Sequence, residues 1–365
     1  MPGGVGLVGA GRIAQLHAAA LRELGVPLVG VVASTPARSA EGAHLLGADR
    51  AFDDLDALLN EPRVEAVHIA TPSGKHHEQA ERALRAGKHV VCEKPLTTSA
   101  ADSARLVRLA HDTGLVGAVA YTYRFHPGVR DLRERAAALG RLLLVRASYL
   151  QAWLLDAGTE EWRLDPAQNG ASRALADLGS HAVDLIEFVT GNRVHAVSAT
   201  MREFVPTSTV IPTAGDDIVV IAFELEGGGI GSLQLSQVAI GHSNSLTLEV
   251  NGERGAMAMD LRDTTRIWWA TRGDEPSHLP VGAYGTDEDY VAAYMSFLEA
   301  TQRAMAGESV ADLPTFQDCL RTHAVRDTIL RSASERAWAA VPAHDEHEAV
   351  PSTEPRVELA AGVRK

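Results

Sequence analysis

Short apolar runs alternate with amphipathic stretches over the first 120 residues of the chain. The apolar runs have the length of buried strands, whereas the stretches between them repeat their apolar positions every three or four residues, as a helix does. This alternation predicts a parallel sheet covered by crossover helices. The predicted strands are residues 5–8, 27–33, 66–70, 89–92 and 116–120, and the predicted helices are residues 12–24, 36–46, 55–59, 76–86 and 99–112.

The pattern changes in the rest of the chain, where apolar and polar residues alternate one by one. Such runs indicate antiparallel strands with one solvent-facing side, and they cover 194–203, 217–224, 231–239 and 245–250. A separate segment, 142–150, precedes them. Helices are predicted over 128–139, 177–189, 289–306 and 315–340. We therefore expect an α/β protein with domains at 1–122 and 123–340, the last helix being able to pack back on the first domain. Residues 341–365 have three prolines and no apolar period, which predicts a flexible tail.

Composition narrows the possible partners and location. The 365 residues are 45% hydrophobic and 22% charged, as in ordinary globular proteins, and this length suggests about two domains. The net charge of −13 argues against nucleic acid or an anionic membrane surface as a partner. No apolar stretch approaches the ~18 residues that a membrane span needs. Two cysteines form no disulfide framework, so we expect a reducing, cytoplasmic location.

A glycine-rich turn follows the first predicted strand and opens the first helix. It contains Gly9, Gly11, Arg12 and Ile13, with Ala14 in place of the last glycine of the dinucleotide fingerprint. Small residues let the backbone approach a pyrophosphate, and the helix N-terminus supplies amide donors. Its position at the first strand of an alternating array predicts an N-terminal Rossmann domain that binds a dinucleotide.

The end of the second strand bears on the choice between NADP and NAD. An acidic residue commonly binds the ribose hydroxyls about 20 residues after the glycines, but this chain has Ser34, Thr35 and Arg38 there. Hydroxyls and a guanidinium can hold a 2′-phosphate, whereas a carboxylate would repel it. NADP is therefore the favoured cofactor. NAD stays open, because Arg38 could instead stack on adenine or lie on a solvated helix face.

Two segments, residues 71–78 and 86–95, resemble the Gfo/Idh/MocA oxidoreductases, most specifically in Glu93-Lys94-Pro95. The resemblance covers roughly residues 4–340 and implies a C-terminal α/β domain with an open, largely antiparallel sheet. It also implies a homodimer or homotetramer. The cofactor loop is most similar to the 1,5-anhydrofructose reductase and glucose-fructose oxidoreductase branches. By the same resemblance, the expected cofactor contacts are Thr71, Pro72, His76, Glu93, Lys94, Trp162 and Arg163.

A second element of that resemblance is Asp177-Leu178-Gly179-Ser180-His181, and it implies that Lys94, Asp177 and His181 line the substrate alcohol. On a helix, positions i and i+4 share a face, so Asp177 and His181 can address one small volume. A cation at the end of an apolar strand is costly, which favours a chemical role for Lys94. His181 is the best proton acceptor, because an unperturbed imidazole titrates near neutrality.

Several alternatives remain open at this stage. Asp177 and His181 could brace a helix or bind a metal, but no further ligand cluster accompanies them, so no metal is expected. Arg124, His126 and Trp153 could touch the substrate or could have structural roles at the domain junction. The predicted activity is hydride transfer between nicotinamide and a secondary alcohol or ketone of a sugar, cyclitol or related polyol. The alternatives are a catalytically silent sensor on this scaffold and a ketoreductase of deoxysugar or aminoglycoside biosynthesis.

Overall fold

Two sheets organise the computed structural model, which describes residues 3–156, 164–205, 216–281 and 287–343. The first sheet is parallel and has the strand order β3-β2-β1-β4-β5-β6. Its strands are β1 (Gly4–Val8), β2 (Leu28–Val32), β3 (Arg50–Ala51), β4 (Val64–Ile69), β5 (His89–Cys92) and β6 (Gly117–Val119). The helices between them are α1 (Arg12–Glu23), α2 (Pro36–Leu46), α3 (Leu55–Leu59), α4 (His76–Arg85) and α5 (Ala100–Thr113).

Five of the six strands lie where the apolar runs predict them. Every residue of β1 and β2 is buried, as expected for parallel strands covered on both sides. The sixth strand, β3, was not predicted. It has two exposed residues, too few to produce a periodic signal.

The second sheet is mixed and has the order β14-β13-β12-β11-β7-β10-β9-β8-β15. All neighbouring pairs are antiparallel except β7 with β10. Its strands are β7 (Leu142–Leu150), β8 (Val194–Arg202), β9 (Ile218–Leu225), β10 (Ile230–Ser236), β11 (Ser245–Gly252), β12 (Gly255–Asp260), β13 (Asp263–Thr271), β14 (Ser277–Pro280) and β15 (Ala339–Ala340). The predicted α/β class with a largely antiparallel second sheet is confirmed, although strands β12 to β15 were missed.

The described residues form five further helices, and two of them pack against the first sheet. They are α6 (Pro127–Arg135), α7 (Pro166–Asn169), α8 (Ser180–Thr190), α9 (Asp287–Met305) and α10 (Phe316–Glu335). Phe297 of α9 belongs to the apolar cluster of β1 and α1. Phe316 of α10 packs with β5 and β6, and a side chain at Gly117 would collide with its ring. Val325 and Ile329 of α10 belong to the core of the second sheet, so α10 packs against both sheets.

The end of the last helix differs from the prediction. The helix stops at Glu335, since Arg336 adopts a left-handed φ of 55° and the chain turns into β15. Val341 is buried, and its amide donates to the His195 carbonyl at 2.8 Å. The predicted tail therefore begins with packed residues, and its remainder, 344–365, lies outside the described residues. Among the described helices, none is long and apolar enough to cross a membrane.

Candidate active site

The glycine turn brings the start of α1 close to the end of β4. Gly9 has a φ of +111°, and a Cβ there would lie 2.5 Å from the Ala70 carbonyl oxygen, so a side chain is excluded. Gly11 precedes α1, and a Cβ there would meet no described heavy atom within 4 Å. Arg12 is exposed and Ile13 is half-buried. A helix N-terminus that faces open space fits the pyrophosphate of a dinucleotide.

In the loop after β2, side-chain hydroxyl groups accept hydrogen bonds from backbone amides. The Thr35 side chain accepts the Arg38 amide at 3.2 Å and caps α2, while Ser39 Oγ accepts the Ala33 amide at 2.8 Å. Ser34 and Arg38 are both exposed. The Thr35 oxygen thus has a structural role in addition to the predicted cofactor contact.

His76 contacts both of the segments that are predicted to bind the cofactor. Its ring nitrogens lie 2.7 Å from the Thr71 carbonyl oxygen and 2.9 Å from the Pro95 carbonyl oxygen. Burial lowers the pKa of this side chain below its ordinary value. The Thr71 hydroxyl donates to Gln79, and Pro72 begins a short 3₁₀ turn. His76 therefore links the loop at Thr71 to the loop at Pro95.

Lys94, just after β5, forms an ion pair with Asp177, which precedes α8. Lys94 Nζ lies 2.6 Å from Asp177 Oδ1 and 3.0 Å from the Asp177 carbonyl oxygen. The second carboxylate oxygen, Oδ2, accepts the Gln237 side-chain amide at 3.0 Å. The side chains of Lys94 and Asp177 are 14% and 20% exposed, so the pair is shielded but accessible. This arrangement fixes an ammonium group at the carboxyl end of β5, the edge where open α/β sheets bind ligands.

The segment that carries Asp177 is a π-helix rather than the predicted α-helix. It covers Leu175–Gly179 and runs directly into α8. Single π-turns of this kind are frequent at functional sites. Asp177 lies in the π-helix and His181 in the first turn of α8, and both are near Lys94.

His181 is enclosed by aromatic rings. The Tyr123 ring lies 4.8 Å from the imidazole, and the Tyr121 and Tyr149 rings lie 6.0 and 6.3 Å away, between ring centres. Burial, and then the Lys94 charge, lower the pKa of His181 to about 3. Its Nδ1 is buried without a hydrogen-bond partner among the described residues. The imidazole is therefore neutral at pH 7.

Three of the predicted site residues make structural contacts in the described chain. Arg124 is buried and donates to Asp184 at 2.9 Å and to Asp318 at 2.8 Å, so it joins α8 to α10, in keeping with the structural alternative. His126 Nδ1 accepts the Gly128 amide at 3.1 Å and caps α6, and burial lowers its pKa to about 4. The Glu93 carboxylate is buried, and its Oε1 contacts His17 and Tyr294.

Trp153, Trp162 and Arg163 are the remaining predicted site residues. Trp153 begins a 3₁₀ turn, and the next residue in that turn, Leu154, donates its amide to the Gln237 carbonyl at 3.2 Å. Trp162 and Arg163 lie outside the described residues.

Comparison with known proteins identifies the family. Residues 4–121 match the model of the oxidoreductase family with an NAD-binding Rossmann fold, and residues 129–258 match the GFO/IDH/MocA C-terminal domain. The dTDP-3,4-didehydro-2,6-dideoxy-alpha-D-glucose 3-reductase of Streptomyces violaceoruber is 31% identical over 76% of this chain and 78% of its own length. The chain belongs to the Gfo/Idh/MocA oxidoreductase family.

Other family members match over nearly the whole chain. Levoglucosan dehydrogenase of Pseudarthrobacter phenanthrenivorans is 28% identical over 93% of this chain and 98% of its own length. A solved levoglucosan dehydrogenase in complex with NADH and levoglucosan has a TM-score of 0.84 at 26% identity, covering 93% of this chain and 99% of that one. This Gfo/Idh/MocA protein is therefore an NAD(P)-dependent oxidoreductase, and its relatives include sugar and inositol dehydrogenases.

Sequence reasoning missed several side chains of the Gfo/Idh/MocA site. Gln237 donates a hydrogen bond to Asp177, but in the sequence it is one of several polar residues in the alternating run 231–239. Asn244 donates to the Tyr123 hydroxyl at 3.1 Å and accepts from the Tyr149 hydroxyl at 2.7 Å, next to His181. No local signal marks these residues, because their importance arises from contacts between distant strands.

Proposed function

We propose that this protein transfers a hydride between nicotinamide and a secondary alcohol or ketone of a sugar, cyclitol or related polyol. The observation that carries the proposal is the Lys94–Asp177 ion pair beside a neutral His181 at the carboxyl edge of the parallel sheet. The glycine turn and open N-terminus of α1 fit a dinucleotide. A bound nicotinamide cofactor would supply or accept the hydride.

The three side chains have complementary roles in this proposal. Lys94 donates a hydrogen bond to the substrate oxygen and stabilises negative charge that develops on it. His181 accepts the hydroxyl proton during oxidation and returns a proton to the oxygen during reduction. Asp177 orients the Lys94 ammonium, and its own orientation is maintained by Gln237. The low pKa of His181 suits proton transfer only when charge develops at the substrate, since burial disfavours the imidazolium.

A substrate screen tests the activity. Purified protein is mixed with NAD⁺ or NADP⁺ and a panel of sugars, anhydrosugars and cyclitols, and nicotinamide absorbance is followed. Keto sugars with NADH or NADPH test the reverse direction. We expect turnover with at least one polyol. Cofactor and sugar binding without turnover across the panel would instead support the silent sensor.

A second candidate is reduction of a keto-deoxysugar nucleotide. It is supported by the similarity to the Streptomyces violaceoruber 3-reductase. A keto-deoxysugar nucleotide added to the panel separates the two candidates. Turnover with this substrate alone would favour the biosynthetic reductase.

We further propose a preference for NADP, supported by the absence of a carboxylate in the loop 33–38 and by Ser34, Thr35 and Arg38 within it. Levoglucosan dehydrogenase structures carry NADH, which makes direct titration the deciding measurement. Calorimetric titration should give a lower Kd for NADPH than for NADH. The reverse order would assign NAD to this chain.

We also propose a homodimer or homotetramer formed through the outer face of the second sheet. Ile230 and Leu144 pair in register there, and both are exposed, as is Val220 on β9. Exposed apolar residues on a sheet face favour association. Light scattering tests this, and a monomer at micromolar concentration would reject it.

Both cysteines, Cys92 and Cys319, are free and buried, which supports the proposed cytoplasmic location.

A further inference from the structure

Four polar side chains from four elements form a buried cluster behind Lys94. Glu93 Oε1 accepts a hydrogen bond from the Tyr294 hydroxyl and lies 3.1 Å from His17 Nε2. His17 Nδ1 lies 3.0 Å from His68 Nδ1. All four residues are buried. Such a cluster is costly unless its members satisfy one another, and neither the fold nor the chemistry described above accounts for it.

The charge of Glu93 follows from its neighbours. Burial acts to raise the pKa of this carboxyl, but His17, Tyr294 and Lys94 outweigh it and hold the pKa below its ordinary value. The titratable groups that face Glu93 are His17 on α1, Tyr294 on α9, His76 on α4, His181 on α8, and the adjoining Cys92 and Lys94. His68 acts indirectly, through His17. Glu93 is therefore ionised at pH 7, and an ionised carboxylate only accepts hydrogen bonds.

This buried anion is connected to Lys94 by the backbone. Glu93 Oε2 accepts the Lys94 amide at 3.3 Å, while Oε1 is bonded to α1 and α9. Removal of a donor would free the carboxylate to turn and would weaken the negative field next to the ammonium. A shift of about 1 Å at a reacting group can cost ~10²-fold in rate.

We infer that His17 and Tyr294 are positioning residues for the reaction proposed above, acting through Glu93 on Lys94. Neither touches the substrate side of the site. His17 and Tyr294 keep the carboxylate ionised and oriented, and His68 fixes the imidazole of His17 through the bond between their Nδ1 atoms. This inference rests on the proposed oxidoreductase function.

Kinetics of matched variants test the inference. Tyr294→Phe and His17→Leu each remove a donor to Glu93, and we expect kcat to fall roughly tenfold with KM and cofactor Kd within about threefold. The acidic limb of the kcat profile should move to higher pH by about one unit, since Glu93 loses a group that favours its charged form. His17→Gln can restore a donor and should recover most of kcat. His89→Gln is the control, because His89 binds the Val116 amide outside the cluster.

Double variants distinguish action through Glu93 from general damage. In a Glu93→Gln background, Tyr294→Phe should have little further effect on kcat. Additive losses, or an acidic limb that does not move in Tyr294→Phe, would overturn the inference. Tyr294→Phe changes one atom, so it remains informative if His17→Leu does not fold.

A measurement without substrate separates this inference from the proposed function. The lowered pKa of Glu93 contributes stability above pH ~4.5 that is lost on acidification. Tyr294→Phe should therefore be more destabilising at pH 7 than at pH 4 in urea unfolding. Equal destabilisation at both pH values refutes the inference, whatever the substrate panel shows. A completely inactive panel with the expected pH dependence would reject only the oxidoreductase proposal.

Discussion

Lys94 Nζ lies 2.6 Å from Asp177 Oδ1, although 83 residues separate the two positions in the chain. Lys94 follows the fifth strand of the parallel sheet, and Asp177 belongs to the π-helix of the second domain. The ion pair therefore exists only when the two sheets are docked. Removing either Lys94 or Asp177 leaves a shielded charge without its partner, which is costly in free energy.

Removal of the ammonium should affect chemistry far more than cofactor binding. For Lys94→Ala we expect turnover to fall ~10²-fold or more, with cofactor Kd within several-fold of the unsubstituted protein. Steady-state kinetics and calorimetric titration measure the two quantities. Lys88→Ala is the control, because Lys88 at the other end of β5 donates to the Val64 carbonyl at 2.7 Å, away from the site. Turnover near that of the control would reject Lys94 as catalytic.

Gln237 should matter for turnover although it does not titrate. Gln237→Leu removes the amide that holds Asp177 Oδ2, so the carboxylate can rotate away from Lys94. We expect kcat/KM to fall about tenfold, the cost of one hydrogen bond to a charged group. Gln302→Leu on α9 provides a control of the same chemistry. Equal activities of the two variants would show that Asp177 needs no such support.

The strands and helices that could be predicted are those with a clear local pattern of apolar residues or glycines. Strands β1 and β2 are continuous apolar runs, and glycines with positive φ follow helices α2 and α5. Strands β12 to β14 were missed because their alternation is weak, as in β13, where only Ile267 is buried. The last helix was predicted too long, since nothing in its periodicity marks the turn at Arg336.

The site residues that could be predicted are those marked by a local sequence motif. Lys94, Asp177 and His181 stand in distinctive local sequences, and the structure brings them together. Arg124 and His126 were ambiguous for a physical reason: a polar residue at the carboxyl edge of a sheet can serve a ligand or a neighbouring helix. Arg124 has partners 60 and 194 residues away, and only the tertiary structure reveals them.

Arg38 should discriminate between the two cofactors. If its guanidinium binds the 2′-phosphate, Arg38→Ala should raise the Kd for NADPH about tenfold or more and leave that for NADH nearly unchanged. Calorimetric titration of both cofactors measures this. Arg85→Ala, an exposed arginine on α4, is the control. A parallel change for both cofactors would place Arg38 on adenine or in solvent.

Arg124 should stabilise the junction between α8 and α10. Arg124→Met leaves the buried Asp184 carboxylate without its counter-charge, so we expect a loss of about 3–5 kcal/mol in the free energy of unfolding. Arg303→Met breaks an exposed pair with Glu308 and should cost ~1 kcal/mol or less. Urea unfolding compares the two. The double variant Arg124→Met/Asp184→Leu should recover part of the loss, and no recovery would contradict the assignment of the cost to the unpaired carboxylate.

The pH dependence of stability should reveal that His181 is buried as a neutral group. Its pKa is about 3 in the folded protein and ~6.5 when unfolded, so the unfolded chain binds the extra proton first. The contribution of His181 is complete above pH ~6.5 and declines, by a few kcal/mol at most, as the pH falls toward 3. His181→Asn should remove this component.

The difference in unfolding free energy between the unsubstituted protein and His181→Asn, measured in urea from pH 4 to 7.5, should then grow with pH and level off near 6.5. His126, whose pKa burial lowers to about 4, and Asp184, whose pKa burial raises to about 6, titrate in both proteins and cancel from that difference. A difference that is constant across this range would mean that the His181 imidazole is solvated, and a proton acceptor enclosed by the three tyrosines would have to be abandoned.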